Sequence, residues 1–246
     1  MKYRITADYH THTRYSHGKG TIEDNVRVAR DMGLKSIAIA DHGFGHIGFG
    51  LKYRDIDKMR NEIQRLNQKY PDIDILLGIE SNLVGLDGTI DIPQEYIDKF
   101  DIILMGFHKA VMPLSFHDAK ELFIKNALSL FLPIDKEHLR QQNTQAMIKA
   151  MGRYPIKIIT HPGAKIDIDS KMLAKHAAKR GVALEINASH GFMTVEYVKI
   201  AMREGVSFVI NSDAHHPSRV GDFHRGIEIA MAAGLEPEQI INAELA

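Results

Sequence analysis

The chain has 246 residues, 44% of them apolar, and its 31 Lys+Arg are balanced by 31 Asp+Glu. An apolar share of that size supports a large core and excludes a disordered chain. The neutral balance disfavours nucleic acid as a partner, because phosphate binding calls for a basic excess. With no Cys and 14 His, disulfides and thiolate metal sites are excluded, and imidazole and carboxylate are left as metal ligands.

No apolar run reaches the roughly 18 residues needed to span a membrane, and the first residues lack a signal peptide's apolar stretch, so a cytoplasmic protein is expected. In chain order, the first β-branched run is 4–8. Residues 21–32 then repeat apolar positions at helical spacing, with Ile22, Val26 and Ala29 on one face, Thr21 as N-cap and Gly33 as the stop. A strand at 36–40, a helix at 55–69 and strands at 73–78 and 102–106 follow. A helix at 137–151 leads to a strand at 156–160, then helix 170–180, strand 183–187, helix 194–204 and strand 207–211. Final helices are expected at 221–233 and 237–242.

Seven strands, mostly followed by helices, imply a parallel α/β sheet with right-handed crossovers. The count fits a distorted (β/α)7 TIM-like barrel better than a full eightfold one; a doubly wound open sheet is the alternative. One domain over 1–246 is expected. Residues 110–142 make a long connection, with an apolar helical stretch at 118–131, suited either to a lid over a site or to an extra packing helix.

The strand ends carry the chemistry. The first strand leads into His10 and His12, with His17 beyond; the second ends in Asp41-His42. Glu80, His108 and His161 follow the third, fourth and fifth, and Asp213 and His215 follow the seventh. In barrels this end holds the active site. His10 and His12, two apart on a strand, can share an ion. Buried charges need partners, and imidazoles and carboxylates converging on one face suit divalent cations. Nine such ligands exceed the four of one tetrahedral zinc, which implies two or three ions. There is no Gly-x-Ser-x-Gly elbow and no Cys nucleophile, so a metal-activated hydroxide is the expected nucleophile.

Asp8 and Asp41 are candidates to orient ligand imidazoles from behind; the alternative is a buried structural hydrogen bond. Glu185 and Asn187, on the one strand without a ligand, suggest a supporting role. Arg14, Lys19, Lys109, Lys165 and Arg219 fall in strand-end loops, where Arg14, Lys109 and Arg219 are the candidates to grip a substrate phosphate. His46, His190, His216 and His224 share those loops, whereas His117, His138 and His176 read as surface residues.

The motifs His10-Thr11-His12, Asp41-His42-Gly43, Gly106-Phe107-His108, His161-Pro162-Gly163 and Ser212-Asp213-Ala214-His215 resemble those of the PHP (polymerase and histidinol phosphatase) family, in order and spacing along nearly the whole chain. Gly78-Ile79-Glu80-Ser81-Asn82, residues 143–148 and Leu184-Glu185-Ile186-Asn187 are most similar to its YcdX-type branch. The resemblance implies a distorted seven-stranded barrel with three divalent metal ions, zinc, manganese or iron. By it, His10, His12, Glu80 and Asp213 hold one ion, and His17, His42 and His215 a second. Glu80 bridges to a third, held also by His108 and His161. Glu80 and Asp213 are then the catalytic carboxylates. The expected activity is phosphatase hydrolysis of a small phosphorylated substrate, with a homo-oligomer compatible. Phosphodiesterase or exonuclease-like activity, hydrolysis of another bond and a non-catalytic metal module are the alternatives. The 110–142 insert is longer than the branch's usual connection, and the chain stops soon after Asn242, where the resemblance implies a closing helix.

Overall fold

The computed structural model describes residues 3–129 and 131–245. β1 (Tyr3–Ile5) precedes seven strands that form one parallel sheet in chain order: β2 (Ala7–Thr11), β3 (Ser36–Ile39), β4 (Asp74–Asn82), β5 (Ile102–Gly106), β6 (Ile156–Ile159), β7 (Ala183–Asn187) and β8 (Phe208–Asn211). β9 (Ala243–Leu245) pairs antiparallel with β1 outside that sheet. The sheet curls into a nearly closed barrel. Thr11 bridges Ala214 in parallel, and the His12 amide donates to the Ala214 carbonyl at 2.8 Å. The open-sheet alternative is thereby set aside.

The described residues also form eight α-helical segments: α1 (Ile22–Asp31), α2 (Tyr53–Lys69), α3 (Phe116–Asp118), α4 (Lys125–Leu128), α5 (Lys136–Arg153), α6 (Ser170–Ala178), α7 (Val195–Met202) and α8 (His224–Ala233). Thr21 caps α1 as expected: its hydroxyl accepts from the Asp24 amide while the Asp24 carboxylate accepts from the Thr21 amide, a reciprocal capping box. The helix expected at 237–242 is a single 3-10 turn, Pro237–Gln239, after which the chain turns back to supply β9.

The main core lies between helices and sheet and includes Ile22, Val26, Ile37, Ile39, Met59 and Ile63. A smaller cluster fills the barrel: Ala38, Ala40, Ile102, Leu104, Ile158, Ala183 and Val209. Register puts Glu80 beside Leu104 and Glu185 beside Val209, so these carboxylates share the interior face with that cluster.

Two departures at the strands position the site. The run expected at 4–8 is two strands, and the second reaches Thr11, so His10 lies within it. β4 extends to Asn82 because β5 offers ladder partners that far and His42 bridges Glu80; Glu80 is thus inside a strand. Beyond β5, α3, a π-helical turn (Ala119–Ile124), α4 and the start of α5 make the helical part of the insert; Leu130, within the helix expected at 118–131, lies outside the described residues. Among the described residues no helix is long and apolar enough to cross a membrane.

Candidate metal centre

All nine candidate ligands meet at the C-terminal mouth of the barrel. The rings of His12, His17, His42 and His215 pack together: His12 and His17 lie 4.2 and 4.1 Å from His215, and 4.5 and 4.8 Å from His42. His108 stands edge-on to His161 at 5.1 Å. Three sets of donor atoms are close enough to share an ion, each within 4.8 Å: His10, His12 and Asp213; His12, His42 and His215; His42, Glu80 and His108. His17 and His161 fall outside these sets, although His161 Nε2 is 2.9 Å from Glu80 Oε1.

A bulge aims His10. Asp8 pairs with Ile37 and Thr11 with Ile39, so β2 carries one more residue than β3 over that span. Bulges re-aim side chains in this way next to functional sites. On a regular strand Asp8 and His10, two apart, would share a face; the bulge separates them. His10 reaches Glu185, whereas Asp8 accepts from the amides of Ser212 and Gly221 and from the Ser212 hydroxyl. Asp8 therefore holds the loop that carries Asp213. Asp41 accepts from the Thr13 amide and hydroxyl, both at 2.7 Å, and so holds the loop between His12 and His17. Both carboxylates fix backbone, which is the structural alternative to orienting an imidazole. Glu185 does that for His10: its Oε1 lies 2.8 Å from His10 Nδ1, and its Oε2 accepts the His161 amide at 2.7 Å. Asn187 donates to Glu185 Oε2 and to Asp213 Oδ2.

The chemistry of the donor set fits divalent cations. His10 Nε2, both nitrogens of His12, Nδ1 of His17 and of His42, and Glu80 Oε2 are buried without a hydrogen-bond partner. Each such atom costs about 1–3 kcal/mol if left unpaired, so their convergence calls for a cation. His42 Nδ1 lies 2.9 Å from Glu80 Oε2 yet makes no hydrogen bond to it. Two lone-pair donors side by side suit a shared ion.

Protonation favours the same reading. Burial, then neighbouring imidazoles, lower His12 well below the ordinary range and bring His17 down to about 4. Burial takes His108 to about 3, against the pull of Glu80. For Glu80 and Asp213, burial opposes the charge, but surrounding imidazoles outweigh it and hold both carboxyls well below their usual range. His10 and His161 are pushed up: burial again opposes, but Glu185, Asp213 and Glu80 around His10, and Glu80 beside His161, prevail. Neutral imidazoles with free lone pairs beside ionised carboxyls are the protonation states that ligands to a cation need.

Two non-glycine residues among those described have positive φ, His161 at 28° and Asp213 at 53°. Such strain persists only where the surroundings over-determine it, and it concentrates at functional sites. Here the Glu185 carboxylate grips the His161 amide, while Asn187 and His190 hold Asp213 Oδ2 at 3.1 and 3.3 Å.

Above the cluster opens a cleft of about 780 Å³, lined by Lys19, Lys165, Arg219, Phe49, His190 and His216 among others. Arg219 is placed as expected. Arg14 and Lys109 do not line the cleft, whereas Lys19, on the turn after β2, and Lys165, after β6, do. Two imidazoles not singled out as site residues belong here. His46 stacks on His42 at 4.8 Å, and His190 contacts Asp213. Their only sequence signal is a place in strand-end loops.

A parallel barrel with imidazoles and carboxylates gathered at this mouth has the make-up of a metal-dependent hydrolase. The profile of the PHP domain matches residues 8–189. The chain is 33% identical over 250 residues to Probable phosphatase YcdX of Escherichia coli, covering 96% of this chain and 89% of that one, and equally to YcdX of Shigella boydii. The chain belongs to the PHP family. Its fold is shared with histidinol phosphate phosphatase of Lactococcus lactis, solved with zinc, L-histidinol and phosphate (TM-score 0.64, 16% identity, 94% of this chain and 95% of that one). A chain of Listeria monocytogenes named for the histidinol phosphatase hisK has the same score at 17% identity, covering 87% of this chain and 97% of that one.

Proposed function

We propose that the chain is a phosphomonoesterase acting on a small phosphorylated metabolite. The observation that carries this reading is the cleft: a size typical of small-molecule sites, an imidazole–carboxylate floor and a rim bearing Lys19, Lys165 and Arg219. The Escherichia coli relative carries a phosphatase's name, which supports the reaction class and no particular metabolite. Histidinol phosphate is one candidate.

In this reading His10, His12, Glu80 and Asp213 hold one divalent ion, His17, His42 and His215 a second, and Glu80, His108 and His161 a third, with zinc, manganese or iron as the metal. Bound there, the ions lower the pKa of a water and neutralise charge on the phosphoryl oxygens. The protein's own groups do the rest. Glu80 and Asp213, held ionised, balance the cationic charge, and Asp213 accepts the attacking water's proton. Arg219, Lys19 and Lys165 grip substrate oxygens. The insert serves as a lid: Ala110 borders the cleft, and Phe116 and Phe131 beyond it are 97% and 84% exposed, apolar surface that a closing element would cover.

Nitrophenyl phosphate mono- and diesters, assayed with and without chelator, test the proposal. Monoester turnover lost to chelator and restored by zinc, manganese or iron is expected. Faster cleavage of the diester, or chelator-resistant turnover, would overturn it.

A further inference from the structure

We propose that Asp91, which is outside the ligand set, fixes the tautomer and orientation of His108 through Asn82 and so prepares one of the metal positions. The inference rests on the ligand role proposed above for His108. Asp91 lies beyond β4, where the chain doubles back through the Leu83–Ile90 bridge. Three donors surround its carboxylate: the Asn82 amide N–H at 2.7 Å, the Asn82 side-chain Nδ2 at 2.6 Å and the Gly45 amide at 2.9 Å. On its other side Asn82 Oδ1 is 2.6 Å from His108 Nδ1.

The direction of this chain of hydrogen bonds is forced. An ionised carboxylate only accepts, so the Asn82 amide must turn its NH2 toward Asp91. Its oxygen then faces His108, and an oxygen requires a proton on Nδ1. The Nε2 lone pair is left for the metal side, where it lies 3.6 Å from Glu80 Oε1. Imidazole ligands are commonly oriented by a partner on their other nitrogen. His10 has such a partner directly in Glu185; His108 has one at second hand. Burial pushes the Asp91 carboxyl up to about 6, against its hydrogen bonds to Asn82 and Gly45, so it stays ionised at pH 7.5.

The same carboxylate fixes the turn after β3. A Cβ at Gly43 would sit 2.3 Å from Asp91 Oδ1, and one at Gly45 3.0 Å from Asp91 Cβ. A side chain at position 43 would therefore displace the Asp91 carboxylate, and one at position 45 would crowd it. One half-buried carboxylate thus reaches both His108 and the turn between two other imidazoles.

Calorimetric titration of the metal-free chain with zinc tests the inference. His108→Ala is the control and is expected to lose one zinc equivalent. Asp91→Asn should weaken zinc at the same position by about tenfold or more, because its amide can present a donor to Asn82 and let that side chain turn over. Long-range 1H–15N spectra of the zinc-loaded variant should show His108 losing the signature of a protonated Nδ1. The double variant Asn82→Asp/Asp91→Asn restores an acceptor facing His108 with a donor behind it, and should recover most of the affinity. The inference is overturned if Asp91→Asn keeps native affinity and signature while His108→Ala loses an ion, or if the double variant binds no better than the single. If His108→Ala costs no zinc, the ligand reading itself fails and takes this inference with it. Should Asp91→Asn not fold, Asn82→Ser cuts the same link: the same loss is expected, and unchanged affinity overturns the inference.

Discussion

Glu185 Oε1 sits 2.8 Å from His10 Nδ1. Asn211 donates to that oxygen at 2.9 Å, and the other oxygen accepts the amide of the strained His161. One buried carboxylate thus turns one imidazole and holds the backbone of another. Glu185→Gln keeps the shape but offers only one acceptor atom. It is expected to weaken metal binding or lower turnover by about 10- to 100-fold, with the fold retained by circular dichroism. Native zinc affinity and rate in this variant would make Glu185 a packing residue.

Metal content follows from the unpaired donor atoms. Gently purified protein should carry more than one equivalent of zinc, iron or manganese by elemental analysis. Because an ion that binds only the folded state stabilises it by RT ln(1 + c/Kd), with c the free ion concentration, chelation should lower the melting temperature as well as remove activity. A metal-free preparation with full activity would end the reading.

Glu80 touches more of the centre than any other carboxylate: His161 Nε2 and the Thr160 hydroxyl at 2.9 Å from Oε1, and His42 Nδ1 at 2.9 Å from Oε2. Glu80→Ala should therefore lower bound metal by more than one equivalent and abolish turnover. Loss of one ion or none would mean that Glu80 is not shared.

The insert is attached at the cleft's edge by Ala110 and Val111, whose neighbours Ile47 and His46 lie on the turn after β3. Replacing residues 113–132 with a short Gly/Ser linker leaves those attachments. It should change relative rates on small and bulky phosphomonoesters while sparing zinc binding. Identical preferences before and after would make the segment a packing element.

Much of this site was legible in the sequence because ligand-type side chains at strand ends are costly to bury without purpose. The residues His10 to His215 read on that ground do meet at one mouth. What escaped is tertiary. The bulge that separates Asp8 from His10 depends on β2 meeting β3 out of step, and no local pattern announces it. Whether Arg14 or Lys19 enters the cleft depends on the path of a turn. Asp91 lies nine positions from Asn82, in a stretch that reads as an ordinary loop. Its role appears only once β4 doubles back beside Gly45.

Asn242 gives a test of the barrel itself, away from the metals. It is buried near the seam between β2 and β8. Its Nδ2 donates to the carbonyls of Ala7 and Ile210 at 2.7 and 2.6 Å, and its Oδ1 accepts the Ile210 amide at 3.1 Å. Asn242→Ala strands these three backbone groups, each at about 1–3 kcal/mol, and should destabilise the chain by about 3 kcal/mol or more in urea unfolding. Asn242→Asp should be worse at neutral pH, since a carboxylate would face two carbonyl oxygens. Those oxygens and burial would raise its folded pKa above the unfolded value near 4. Stability is then lost as pH rises through the folded pKa, so this variant should regain stability relative to Asn242→Ala when acidified from pH 7 to 5. An Asp variant as stable as the native chain at pH 7 would show that Asn242 does not bind the seam.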